Sequence, residues 1–265
     1  MPYLDRAGQR IHYRVEGQGP PVLLAHSFLC STLMWQGQID ALKDRYRLIA
    51  VDARGHGESG PIAGPFTMWD AAQDHLAVLD DLGVQRAAWA GLSQGGMAAL
   101  RVALSAPERV AGLMLLDTDA GPESAFVKAK YTGMKAVARA FGIRPLLPAV
   151  GPIMFGPTAR RSQPALVRTW KARFAKQDVP SMLLGIDAIR FRDDLRGRLG
   201  EIACPALVLV GAEDKALPPP RSQALAEGLA DARHVVLPGA GHLSAVEAPD
   251  AVTAAMSSLL GELAW

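Results

Sequence analysis

The chain has 265 residues, of which 49% are hydrophobic and 20% charged, and it carries a formal net charge of +2. That length holds one large core, or one core with an insertion, and the composition is that of a globular protein. No apolar run approaches the roughly 18 residues of a membrane span, and the first eight residues lack a basic-then-apolar leader pattern. A cytoplasmic protein without membrane or nucleic-acid partners is therefore expected. Two cysteines, Cys30 and Cys204, are too few for a disulfide framework and read as small reduced residues.

Short β-branched apolar runs open the chain. Ile11–Val15 and Val22–Ala25 read as strands, and the second leads into a loop at His26. Arg47–Asp52 is a third, closed by a glycine-rich turn. Met68–Leu82 has helical periodicity and stops at Gly83, a natural C-cap. Arg86–Ala90 is a strand, Ser93–Ser105 a helix ended before Pro107, and Val110–Asp117 another strand. Beyond residue 200 the alternation resumes: strand 206–210, helix 221–229, strand 234–237, helix 251–263. Strands separated by helices of this length imply βαβ units and a mostly parallel sheet.

Residues 121–200 break the rhythm. They are helical in pattern and punctuated by Pro145, Pro148, Pro152, Pro157, Pro164 and Pro180. They hold fifteen Lys and Arg against five acids, so this segment is net +10 and the rest of the chain −8. The expected organisation is a core of 1–120 and 201–265 with a helical cap over 121–200.

Between the strand at 86–90 and the next helix lies Gly91-Leu92-Ser93-Gln94-Gly95. A serine flanked by glycines at a strand–turn–helix junction has its hydroxyl held out from the sheet, beside free N–H groups at a helix start. A serine hydroxyl needs a base, and the base an orienting acid. Of six histidines, His12 lies in a strand pattern and is expected to face solvent, while His75 and His234 sit in ordinary elements. His242 follows the last apolar strand in a Gly-rich loop, where parallel sheets assemble their sites, and is the expected base. The acid is expected to be Asp214, after strand 206–210, with Glu213 and then Asp117 and Asp119 as rivals. The two oxyanion donors are expected at the backbone N–H of Gln94 and of Phe28, with Ser27 next.

Gly55-His56-Gly57-Glu58-Ser59-Gly60 fits a dinucleotide fingerprint, but a proline-rich run follows where a helix must start. Phosphate-loop and zinc patterns are absent from the sequence, and no cofactor or metal is expected.

Three segments carry a family resemblance: Asp52–Ser59, Gly91–Met97, and Gly211–Asp214 with Gly241-His242. With them the chain resembles an α/β-hydrolase, and within that superfamily it is similar to 3-oxoadipate enol-lactonases and related small esterases. The resemblance implies an eight-stranded sheet with a helical cap, a Ser93–Asp214–His242 triad, and a structural role for His56. The oxyanion loop departs from the family, with His26-Ser27-Phe28 where enol-lactonases carry Asn-Ser-Leu.

The implied activity is hydrolysis of a carboxylic ester or lactone through an acyl-enzyme. The same triad serves C–C bond hydrolases and perhydrolases, and the fold also hosts ligand receptors. Trp35, Met97, Phe126 and Trp170 are candidates for an apolar substrate wall beside Ser27. Cap arginines such as Arg190, with Arg192 beyond Phe191, are candidates to hold a substrate carboxylate.

Overall fold

Apolar runs buried along their whole length form the centre of a sheet covered on both faces. The computed structural model describes residues 2–265. Its strands are β1 (Tyr3–Arg6), β2 (Gln9–Glu16), β3 (Pro21–Ala25), β4 (Arg47–Val51), β5 (Ala87–Leu92), β6 (Val110–Leu116), β7 (Ala206–Gly211) and β8 (Ala232–Leu237). They form one eight-stranded sheet in the order β1-β2-β4-β3-β5-β6-β7-β8. β1 and β2, and β2 and β4, pair antiparallel; the other neighbours are parallel.

The helices are α1 (Gln36–Leu42), α2 (Met68–Asp81), α3 (Gln94–Ser105), α4 (Ala125–Phe141), α5 (Leu147–Met154) and α6 (Pro157–Ser162). They continue with α7 (Pro164–Phe174), α8 (Val179–Arg190), α9 (Pro219–Gly228), α10 (Ser244–Glu247) and α11 (Pro249–Leu260). α1 and α11 cover one face of the sheet, packing Ile39 and Met256 against Leu24 and Met114. α2, α3 and α9 cover the other, packing Leu79, Leu100 and Leu225 against Leu23, Leu113 and Val208. Residues 23 and 24, like 113 and 114, divide between the two layers because successive strand side chains point to opposite faces.

Local chemistry sets several helix ends. Thr67 and Asp70 form a reciprocal capping box at α2, with Thr67 N donating to Asp70 Oδ2 at 2.8 Å. Gly83 takes φ +64° just past that helix, where a side chain would be strained. α4 to α8 all lie between β6 and β7, over the basic stretch of sequence. No described helix is long and apolar enough to cross a membrane.

Two expectations change. The sequence reading missed β1, whose alternating half-exposed residues give a weak strand signal. His12 does not face solvent. It is 1% exposed, its Nδ1 lies 2.7 Å from Asp52 Oδ2, and Tyr3, its partner on β1, packs over the same face with ring centres 5.2 Å apart.

Candidate active site

The strand order reverses direction between β3 and β5, and the carboxyl edge of a parallel sheet is open at such a switch. Ala25 pairs with Gly91, Leu92 with Leu116, and Leu116 with Leu209. The loops after β3, β5, β6, β7 and β8 therefore emerge side by side, and they carry Phe28, Ser93, Asp117, Asp214 and His242 respectively.

Ser93 sits between β5 and α3 with φ 55° and ψ −115°. That backbone is held by two hydrogen bonds: Ser93 N donates to Leu116 O at 2.9 Å, and Thr118 Oγ1 donates to Ser93 O at 2.7 Å. A Cβ on Gly91 would stand 2.4 Å from Gly95, and one on Gly95 only 2.1 Å from Ala25 O. The glycines of the motif are thus required by the contact of strand with helix. Four non-glycine residues have positive φ, namely Ala7, Leu29, Ser93 and Asp117, and three of them ring this edge of the sheet. Strain concentrated in this way marks sites that the surrounding structure over-determines.

His242 is 3% exposed, and its Nδ1 lies 2.9 Å from Asp214 Oδ2. Asp214 Oδ1 accepts from the N–H groups of Ala216 and Leu217 at 2.7 and 3.0 Å, which fixes the carboxylate plane. Burial pushes the His242 imidazole down, but Asp214, with Asp117 and Glu247 behind it, lifts it above its ordinary value.

The rivals for the acid lie elsewhere. Glu213 turns away to Thr158, and Asp119 pairs with Arg221 at 2.7 Å. Asp117 is fully buried behind Asp214 and His242, accepting from Gly211 N at 2.8 Å and bonded to Ser244 Oγ. Burial and the neighbouring Asp214 carboxylate push its carboxyl well above the usual range.

Ser93, His242, Ser27, Phe28 and Met97 line one cavity of about 160 Å³. Among the described residues neither the Gln94 nor the Phe28 backbone N–H has a protein acceptor. The Ser27 hydroxyl is buried beside them and likewise lacks one. Behind this loop the His26 imidazole accepts from Ala53 N at 2.9 Å. His56 packs against His26 and Phe28 with ring centres 5.3 Å apart in each case. Gln94 lines a small cavity on that inner side together with His26, His56 and His75.

Several expected wall residues are absent from the cavity. Trp35 is fully buried against the sheet, where α1 and α11 pack. Trp170 packs on Phe174, 6.2 Å between ring centres, inside the helical insertion itself. Phe126 is 79% exposed on the outer side of α4. Arg190 stacks over Phe191 at 4.4 Å and faces Asp187 at 3.6 Å. Arg192 is buried with Glu123, 2.8 Å from Nη1 to Oε1. Trp170, Arg190 and Arg192 are satisfied by packing or pairing within the insertion, Trp35 by the sheet layer, and Phe126 faces outward.

Sequence reasoning missed Tyr131, Met134, Met154, Ile186, Lys130 and Lys215, which do line the cavity. Helical periodicity alone does not tell which face of a helix covers the sheet edge. The glycine-rich turn at 55–60 wraps the buried Asp52, which accepts from Glu58 N at 3.0 Å, and no helix follows it. Cys30 and Cys204 are free thiols, and burial pushes the latter up to about 11.

Residues 20–249 match the family described as alpha/beta hydrolase fold. A protein of Azorhizobium caulinodans, provisionally named the carbamate hydrolase RutD, is 29% identical, with 99% of each chain covered. The crystal structure of the enol-lactonase from Burkholderia xenovorans LB400 is 32% identical, covers 98% of this chain and 100% of that one, and superposes with a TM-score of 0.93. A thermophilic esterase from Thermogutta terrifontis, solved with malate bound, is 31% identical over 98% and 96% of the two chains, with a TM-score of 0.91. The chain belongs to the α/β-hydrolase family, and its fold is similar to that of the enol-lactonase.

Proposed function

We propose that this α/β-hydrolase cleaves small carboxylic esters or lactones through an acyl-enzyme formed on Ser93. The observation that carries the reading is the shared cavity. Ser93, on its strained turn, and His242, 2.9 Å from Asp214, both open into it. His242 takes the Ser93 proton as the hydroxyl attacks the carbonyl, and Asp214 holds the imidazole tautomer and offsets the charge that forms. The N–H groups of Gln94 and Phe28, with the Ser27 hydroxyl beside them, receive the oxyanion. Return of the proton expels the alcohol, and water activated by His242 then releases the acid.

Residues 121–200 act as the cap, since more than half of the cavity wall comes from them. The wall is mostly apolar, with Met97, Met134 and Met154 giving it adaptable shape. A volume of about 160 Å³ suits a small acyl or lactone core. Lys130 and Lys215 are exposed at its border, from the cap and from the loop after β7. They favour a substrate that carries a carboxylate, in keeping with the malate on the esterase relative. A carbamate is the second reading, favoured by the near full-length likeness to the protein named as a carbamate hydrolase.

The test compares wild type with Ser93→Ala on p-nitrophenyl esters, simple lactones and aryl carbamates by stopped flow. A burst followed by turnover is expected in wild type alone, with kcat/KM falling by about 10⁴-fold or more in Ser93→Ala. The base acts when neutral, so the rate should rise with pH along a limb whose midpoint lies above the ordinary histidine value of about 6.5. Equal turnover in both proteins would remove Ser93 from the chemistry.

A further inference from the structure

Glu247 is a buried acid whose hydrogen-bond partners are backbone groups. Its Oε2 accepts from Gly156 N and from Gly241 N, both at 3.0 Å, and its Oε1 accepts from Leu243 N at 3.1 Å. Gly241 and Leu243 stand on either side of His242, so one carboxylate grips the chain before and after the base. Gly156 belongs to the turn between α5 and α6. That turn is gripped a second time, because Glu213 accepts from Thr158 N at 2.8 Å and from Thr158 Oγ1 at 2.6 Å. Glu213 directly precedes Asp214.

The same turn touches the base loop elsewhere. Leu243 N also donates to Met154 O at 3.2 Å, and Gln163 Nε2 donates to Glu247 O at 3.0 Å. A Cβ on Gly241 would stand 2.1 Å from Gly156 N, so the two backbones meet directly. α5, which ends at this turn, supplies Val150, Ile153 and Met154 to the cavity wall. The wall that a substrate presses on is therefore fastened to the residues beside the acid and on both sides of the base.

We propose that Glu247 is a positioning residue for His242, holding its backbone on both sides and fixing it to the turn at 155–158 of the helical insertion. This rests on the reading of Ser93 and His242 as nucleophile and base. Three N–H donors converge on the two oxygens, a demand a carboxylate meets. A glutamine has one acceptor oxygen and would turn an NH₂ group towards a donor. The charge matters as well: Asp214, Asp117 and Glu247 are the acids acting on His242, and all three favour its protonated form. Glu247 stays beneath the base while the reacting atoms are in the cavity above, so its effect passes through His242.

The experiment measures kcat, KM and melting temperature for wild type, Glu247→Gln, Glu213→Gln and Gly156→Ala on p-nitrophenyl acetate. The His242 imidazole is titrated by NMR in a Ser93→Ala background with and without Glu247→Gln. Glu247→Gln is expected to lower kcat by about ten- to a hundredfold, the cost of a misplaced catalytic group, with KM within about threefold of wild type. Its His242 midpoint should move to lower pH, since a nearby negative charge is lost. Glu213→Gln loosens only the cap side, so a smaller fall in kcat and an unmoved midpoint are expected. Gly156→Ala keeps every charge, but its Cβ would lie 2.4 Å from Glu213 Oε2 and 3.0 Å from Gly241 N, so it pushes the turn off both of its ties and should lower kcat while leaving KM near wild type.

A Glu247→Gln protein that melts earlier but keeps wild-type kcat and midpoint would make the residue one of stability only and overturn the proposal. If Glu247→Gln does not fold, an unchanged kcat in Gly156→Ala overturns it. Full activity in Ser93→Ala would sink the nucleophile reading, while the NMR titration would still decide what Glu247 does to His242.

Discussion

The carboxyl edge of the sheet and the helical insertion above it are built on different terms. At the edge, Leu29, Ser93 and Asp117 hold strained backbones, and buried polar groups such as Asp117 and Glu247 are tied to main-chain N–H groups. The insertion stacks Phe155 and Trp170 on Phe174 within the apolar layer that also covers one face of the sheet, and pairs some of its charges locally, as in Arg192 with Glu123. Over the cavity it offers methionines and aliphatic side chains. On the proposed reading the edge holds the reacting groups, whose misplacement by about 1 Å would already be costly, whereas the insertion sets the shape and size of what they meet.

If that division holds, substitutions in the two regions should separate chemistry from stability. Asp214→Asn removes the acceptor at His242 Nδ1 and is expected to cost about 10³- to 10⁴-fold in kcat on every substrate, with KM little changed. Trp170→Ala, by contrast, should destabilise the insertion by about 3–5 kcal/mol, as for other large aromatic-to-alanine changes. At a temperature where it is folded, Trp170→Ala should keep kcat within a few fold. Thermal unfolding and steady-state kinetics on the two proteins check both halves. A Trp170→Ala enzyme that folds but is as inactive as Asp214→Asn would break the division.

Acid should act on the edge first. Burial holds His26, His56 and His75 neutral, with the imidazole of His56 pushed down to about 4 and that of His75 to about 3. In the unfolded chain these groups titrate near 6.5, so the unfolded state binds more protons as pH falls below that value. Stability is therefore expected to drop from about pH 6.5 down to about pH 3. His75→Gln should flatten that slope, which melting curves at pH 7 and pH 5 would reveal. An equal drop in both proteins would place the acid sensitivity elsewhere.

The smallest expected effect tests the mouth of the cavity. Lys130→Ala with Lys215→Ala should raise KM about three- to tenfold for esters bearing a carboxylate and leave neutral esters within twofold. Exposed charges are screened and contribute little singly, so the effect should shrink further in added salt. Equal KM changes for neutral and anionic esters would show that the lysines act on cavity shape.

Much of the core was legible in the sequence. Residues 206–211 and 110–116 are continuous apolar runs because parallel central strands are buried on both faces. Gly91, Ser93 and Gly95 announce the elbow through the close approach that only glycine permits. His242 and Asp214 stand out because each follows an apolar strand. Glu247 carried no such signal, since an acid five residues past a histidine is unremarkable until its carboxylate is seen between Gly156, Gly241 and Leu243. Trp35 and Trp170 misled for a related reason: aromatic bulk fills a core as readily as it lines a pocket.

The sequence by itself determined the class of fold, the alternation of strands and helices, the elbow at Ser93 and the loops that carry His242 and Asp214. Those features follow from local rules of periodicity, turn geometry and burial, each readable within a dozen residues. Tertiary structure alone decided which faces of α4, α5 and α8 cover the cavity, and which cap cations are paired, as Lys135 is with Asp187 and Arg192 with Glu123. It also decided that Glu213 and Glu247 seize one turn of that insertion. These depend on residues far apart in the chain, 91 positions for Gly156 and Glu247, whose meeting is settled by the packing of the whole chain.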